Sequence, residues 1–81
     1  MGSSDAAYER HKQQFGQRLK RLREAAGLSQ MGLARLLPGG TDVSQVSRWE
    51  RGISFPEFKT LFAMAEVFEV PPRWLEWGDD T

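Results

Sequence analysis

The chain has no cysteine in its 81 residues. Disulfides and thiolate-bound metals are therefore excluded, which suits a reducing compartment, and a cytoplasmic location is expected. No apolar run approaches the length of a bilayer span, so no membrane association is expected. No signal peptide is evident, and Met1-Gly2-Ser3-Ser4 reads as a start or an expression scar rather than as targeting. The single histidine, His11, has no partner motif and reads as a surface residue. There is no nucleophile–base pair, no metal-ligand spacing and no phosphate-binding loop, so neither an enzyme, a cofactor, a metal site nor a small-molecule ligand is expected. Strand patterns and internal repeats are lacking too. The length allows one domain with a core barely large enough to fold without staples.

The chain also lacks net charge: eleven Lys and Arg balance eleven Asp and Glu. That argues against nucleic acid until the distribution is read. Residues 10 to 51 hold nine cations (Arg10, Lys12, Arg18, Lys20, Arg21, Arg23, Arg35, Arg48 and Arg51) against Glu24, Asp42 and Glu50, a balance of +6. Residues 52 to 81 hold Lys59 and Arg73 against six carboxylates, a balance of −4, and Asp5 and Glu9 complete the zero. Such a chain either presents a basic face to a polyanion or interleaves its halves in space.

One stretch organises the rest: Asp42-Val43-Ser44-Gln45-Val46-Ser47-Arg48-Trp49-Glu50-Arg51-Gly52. On a helix, Val46, Trp49 and Ile53 share one face with Glu50 at its edge, while Ser44, Ser47, Arg48 and Arg51 share the other. Asp42 suits the N-cap, Gln45 three residues on completes a capping-box pattern, and Gly52 stops the helix. Hydroxyls beside guanidiniums, with no carboxylate between them, suit a DNA major groove: Ser accepts or donates, and Arg pairs bidentately with guanine. The same face would also serve as an ordinary solvated one.

Around it the periodicity gives four more helices. Residues 1–7 are small, polar and expected to be flexible. A helix from about Tyr8 to Ala26 carries the stripe Phe15, Leu19, Leu22 and Ala26, and Gly27 ends it. Ser29 caps a helix from Gln30 to Leu37 with Leu33, Ala34 and Leu37 inward; Leu36 lies off that face, either partly exposed or at an interface. Pro38-Gly39-Gly40 makes a turn. Ser54 and Glu57 suggest a capping box around Pro56, opening a helix whose stripe is Phe58, Leu61, Phe62, Ala65 and Phe68. After Pro71, Pro72 starts a last short helix through Trp74, Leu75 and Trp77, ended by Gly78. The expected fold is all-α with five helices. Residues 8–78 form the domain, and 79–81 form an acidic end.

These residues, in order, resemble the lambda-repressor-like helix-turn-helix domains of the Cro/repressor (XRE) family. The resemblance rests on Phe15-Gly16, Arg18-Leu19, Leu22-Arg23, Gly27-Leu28-Ser29-Gln30, Leu33-Ala34, Val46 to Gly52, Pro56, Leu61, Ala65, Val70 and Trp74-Leu75. The run Ser47-Arg48-Trp49-Glu50-Arg51-Gly52 is its most specific part. It implies a helix-turn-helix built from the second and third helices, with a recognition helix at about 43–51 in the major groove. Gln30 would donate to a DNA phosphate and buttress that helix. Val43, Ser44, Ser47 and Arg48 match positions that face base edges, and Arg51 shares their face. Glu50 matches a position paired with a first-helix arginine, here Arg23.

The chain departs from the family in a longer turn between Leu37 and Asp42. It also has Ile53-Ser54-Phe55 where relatives often carry Lys or Arg, so phosphate grip there falls to backbone N–H groups. Arg48 is the one long base-reading side chain, which makes shape readout important.

The leading reading is sequence-specific binding of double-stranded DNA by a transcriptional regulator, a repressor by resemblance. The alternative is a helix-turn-helix domain used for protein interaction, antitoxin-like or coactivator-like, which the neutral total and the acidic, Trp-bearing end favour. One short reading helix needs a partner, so a homodimer on a pseudo-palindromic operator is expected. Phe15, Trp49, Phe58, Phe62 and Phe68 suffice to fill the centre, and Trp74 adds a further core candidate. Trp77 with Pro72, and with Phe55 and Leu36 nearby, would then form the dimer surface, unless Trp77 packs on its own domain.

Overall fold

The apolar stripe that includes Phe15, Leu19 and Leu22 lies on the first of five helices in a computed structural model that describes residues 3–79. Helix α1 spans Ser3–Ala25. It starts well before Tyr8, where the periodicity placed its beginning, because Ala6 and Ala7 are strong helix formers and Asp5 complements the positive end of the first turn. The expected flexible segment is thus helical from Ser3 onward; Met1 and Gly2 lie outside the described residues, as do Asp80 and Thr81 of the acidic end. Gly27, at φ +72°, closes α1 in a Schellman turn, with Leu28 N–H donating to the Arg23 carbonyl and Gly27 N–H to that of Glu24.

Helix α2, Gln30–Leu36, is capped by the Ser29 hydroxyl, which accepts from the Gly32 N–H at 2.9 Å. Leu33, Ala34 and Leu37 are buried and Leu36 is exposed. The longer turn is made by Gly39 and Gly40, both with positive φ, and is closed by the Thr41 hydroxyl donating to the Pro38 carbonyl at 2.9 Å. Helix α3, Val43–Glu50, buries Val46 and Trp49. It packs on both α1 and α2. Ile53 does not share that face: Gly52 turns the backbone at φ +73° and leaves Ile53 exposed beyond the helix end.

Helix α4, Phe58–Phe68, corrects two expectations. Glu57 itself is the N-cap and makes no side-chain capping bond, so no capping box forms with Ser54. The inward stripe is Leu61, Met64 and Ala65, while Phe58 and Phe62 are 69% and 46% exposed. Leu61, Met64 and Ala65 stand at i, i+3 and i+4, and Phe62 lies about 100° round the helix from Leu61. Only one of these neighbouring faces can be covered by so few helices.

Helix α5, Pro72–Trp77, has Pro72 at its first position, buries Leu75, and packs on α4 and α1. Arg18 of α1 holds its far end, donating from Nε to the Leu75 carbonyl at 3.0 Å and from Nη2 to that of Glu76 at 2.8 Å. Those carbonyls have no partner within the helix, and a cation suits that pole. The core therefore joins Phe15 and Leu19 of α1 to Leu33, Val46, Leu61, Met64 and Leu75. The described residues contain no strand.

Candidate nucleic-acid interface

The site begins with the cap of α3. Asp42 Oδ1 accepts from the Gln45 N–H at 3.1 Å, and Gln45 Oε1 accepts from the Asp42 N–H at 3.0 Å, a complete capping box. The Ser44 hydroxyl also donates to Asp42 Oδ1, at 2.8 Å. That bond, then the Gln45 N–H, and after them the Ser44 N–H and the charge of Arg48, hold the Asp42 carboxyl below its ordinary range, although desolvation works against them. Because the Ser44 proton is committed to Asp42, its outward oxygen presents lone pairs, so it is set to accept rather than donate.

With Val46 and Trp49 inward, Val43, Ser44, Arg48 and Arg51 are exposed and Ser47 is half-buried. Neither Arg48 nor Arg51 makes a hydrogen bond or ion pair among the described residues, so two guanidiniums stand unpaired on one surface. Arg51 is the C-cap, at the opposite end of α3 from Val43 and Ser44.

Glu50 anchors the other side of α3. Its side chain is 3% exposed. Arg23 reaches it from α1, Nε to Oε2 at 2.6 Å and Nη2 to Oε1 at 3.0 Å, while Nη1 holds the Leu28 carbonyl at 2.9 Å. This two-point geometry is the strong form of an arginine–carboxylate pair. The bond to Glu50 raises the Arg23 guanidinium above its ordinary value, although burial works against it. Gln30 joins the pair: its Nε2 donates to Glu50 Oε1 at 3.0 Å. Helices α1 and α2 thus grip α3 through one carboxylate. The Gln30 amide keeps one N–H and its carbonyl oxygen for a further partner.

Two basic or aromatic positions take roles that no local pattern signals. Lys12 is buried, with Nζ 3.4 Å from the Ile53 carbonyl and 3.1 Å from Glu9 Oε2, so it ties α1 to the loop after α3. His11 is not a bare surface residue. Its ring lies 5.4 Å from that of Phe55 and 4.3 Å from that of Trp77, and its Nε2 is 3.4 Å from Glu76 Oε2. The return of α5 onto α1 brings Trp77 and Glu76 to His11, and the loop between α3 and α4 brings Phe55.

Trp77 and Pro72, both expected on a dimer surface, face different sides of α5. The two are five positions apart on α5, about 140° round the helix. Trp77, 58% exposed, turns toward His11. Pro72 lines a groove with Pro38, Phe62 and Val70. Trp74 is half-buried, with Nε1 donating to Asp79 at 3.1 Å.

Among the described residues no helix is long and apolar enough to cross a membrane. A profile described as "Helix-turn-helix domain" matches residues 14–77. The HTH-type transcriptional regulator DicA of Escherichia coli (strain K12) is 37% identical over 66 residues, covering 82% of this chain and 47% of that protein. The chain thus spans about half the length of this curated relative. Among solved structures, the restriction-modification controller protein C.AhdI from Aeromonas hydrophila superposes with a TM-score of 0.73 at 38% identity, covering 84% of this chain and 96% of that one. With α2 and α3 packed as described and the match running from α1 to α5, the chain belongs to the helix-turn-helix domain family.

Proposed function

We propose that this chain binds double-stranded DNA in a sequence-specific manner as a transcriptional regulator, with α3 as the reading helix. The observation that carries this reading is the division of α3: Val46 and Trp49 are buried, and the two unpaired guanidiniums of Arg48 and Arg51 stand outside with Val43 and Ser44. The regulatory names of the two relatives support it.

In the major groove Arg48 pairs with guanine O6 and N7, Val43 meets a thymine methyl, and Ser44 accepts from an exocyclic amine. Ser47 sits at the edge of that surface. Arg51 and the remaining N–H of Gln30 take phosphates, which fix register without reading sequence. The protein acts in the cytoplasm as a repressor by occupying its operator. Residues 8–78 form the binding domain, and 79–81 add negative charge beyond it.

One eight-residue helix reads few base pairs. A homodimer on a pseudo-palindromic operator, with half-sites about 34 Å apart, supplies the remaining specificity.

The test is duplex binding across a salt series after selection from randomised DNA. A selected consensus and a log–log slope of several charges are expected, because cationic side chains displace condensed counterions. A flat slope with no enriched sequence would overturn DNA binding and leave the protein-interaction reading.

A further inference from the structure

We propose that Asp42 selects the base that Ser44 reads, and that α3 thereby requires an unmethylated exocyclic amine, adenine N6 or cytosine N4, at that place in the groove. This rests on the DNA reading above and goes beyond it in two respects. The residue that caps the helix sets part of the sequence, and binding becomes sensitive to methylation of the operator.

A serine hydroxyl is ordinarily ambiguous, since its proton rotates to suit a donor or an acceptor. Ser44 is held to one choice. Its hydroxyl donates to Asp42 Oδ1 at 2.8 Å. The carboxylate is itself fixed: the same oxygen accepts from the Gln45 N–H at 3.1 Å, and Gln45 Oε1 holds the Asp42 N–H at 3.0 Å. A hydrogen bond to an ionised oxygen is about twice as strong as one between neutral groups. The acceptors of the groove, guanine O6 and N7 and thymine O4, are neutral. To donate to one of them, Ser44 would have to give up its charged partner. To accept from an amine, it gives up nothing. Asp42, Val43 and Ser44 are all exposed at the N-terminal end of α3, one turn before Arg48.

The major-groove donors are the exocyclic amines of adenine and cytosine. Ser44 therefore selects one of these two bases on the strand it meets. Reversing the pair moves the amine to the other strand, away from Ser44. Each amine has two N–H bonds. One pairs with the opposite base, and the other points into the groove. A methyl group on that nitrogen leaves a single N–H, and base pairing takes it. The methyl then stands in the groove where the donor was, and the Ser44 oxygen faces carbon with no hydrogen bond to accept.

Competition binding to a consensus selected from randomised duplexes tests the proposal. The contacted pair is the one whose preference Ser44→Ala flattens. There the wild type should prefer adenine or cytosine over guanine or thymine about fivefold, the worth of one hydrogen bond. N6-methyladenine or N4-methylcytosine at that position should weaken the wild type by about the same factor or more, and should leave Ser44→Ala nearly unaffected. Asp42→Ala frees the hydroxyl to donate, and should remove the preference at this pair while keeping the one at the pair read by Arg48. In the Ser44→Ala background, Asp42→Ala should shift no base preference. Loss of the helix cap by itself would lower affinity for every duplex alike and move none of these ratios. The methylated duplexes are compared with the wild-type protein, so that arm stands even if Asp42→Ala does not fold.

A wild type that prefers guanine or thymine there, or that binds the methylated duplex as tightly, overturns the proposal. So does a preference that survives Asp42→Ala, or a consensus in which Ser44→Ala changes no position. If the consensus still depends on Arg48 in any of these cases, the DNA reading stands. A selection that enriches no sequence removes both.

Discussion

Gly16 lies so close to the end of α3 that a Cβ added to it would stand 2.5 Å from the carbonyl oxygen of Trp49 and 2.6 Å from that of Glu50. Those backbone atoms cannot move without shifting α3 itself, so the missing side chain sets how near α1 and α3 approach. Gly16→Ala should therefore push the reading helix outward and destabilise by about 1–3 kcal/mol, despite the better helix propensity of Ala. Urea unfolding monitored by tryptophan fluorescence would measure it. Unchanged stability would mean that α3 is not clamped there.

Arg48 and Gln30 should fail in different ways. Arg48→Ala is expected to cost about 1–3 kcal/mol of binding and to relax the preference at one base pair, as loss of a bidentate base contact does. Gln30→Ala should weaken all duplexes alike, through a lost phosphate contact. Competition binding with single-base operator variants separates the two. A sequence preference left intact by Arg48→Ala would remove its base-reading role.

The Arg23–Glu50 pair joins two nearly buried side chains, 10% and 3% exposed. Removing either partner strands the other in a poorly solvated place, and Glu50→Ala should cost about 3 kcal/mol. A double-mutant cycle with Arg23→Ala is expected to show strong coupling. Gln30 shares Glu50 Oε1 with Arg23, so the single Glu50 variant should also loosen α2 in hydrogen exchange. Additive single losses would argue against the pair.

Acid should act on the cap of α3. Asp42 titrates below its ordinary value in the folded chain, held there first by the Ser44 hydroxyl and then by the Gln45 N–H. A carboxylate with a depressed folded value contributes stability that is fully present above its unfolded value and is lost as pH falls through the folded one. The loss should therefore develop below the usual carboxylate range. Asp42→Asn keeps a capping oxygen without a charge and should flatten that part of the pH profile. An identical acid limb in the variant would place the titration elsewhere.

Glu69 offers a stabilising change. It closes α4 in the left-handed region at φ +58°, with its N–H donating to the Glu66 carbonyl and that of Val70 to the Ala65 carbonyl. Gly27 and Gly52 fill the equivalent position after α1 and α3. Glu69→Gly should raise stability by about 0.5–1 kcal/mol, because glycine has no Cβ to strain there. A fall in the thermal midpoint would show that the Glu69 side chain contributes more than its backbone costs.

Local chemistry was legible wherever a structure is made by residues close in the chain. Ser29, Asp42 with Gln45, Gly27, Gly52 and Pro72 mark helix ends because caps and stops act over three or four positions. The same short range explains what could be misread. Phe58 and Phe62 share helical spacing with Leu61 and Ala65, and periodicity cannot say which of two adjacent apolar stripes meets the core. Glu57 took the N-cap of α4 because the backbone around Pro56 placed the helix start there, whatever Ser54 offered.

What the sequence by itself determined is the set of five helices, most of their caps and stops, and the outward face of α3, since each follows from residue type and a period of 3.6; the start of α1 and the cap of α4 were not among them. What only the tertiary structure decided is how distant residues share partners. Glu50 serves both Arg23 and Gln30, and Lys12 reaches the Ile53 carbonyl. His11 lies against Phe55 and Trp77, Gly16 admits α3, and Phe62 is left uncovered. The physical reason is that helical period fixes only a residue's angle on its own helix. Burial, hydrogen bonding and close approach depend on which helix is laid against that angle, and this is settled when all five pack at once.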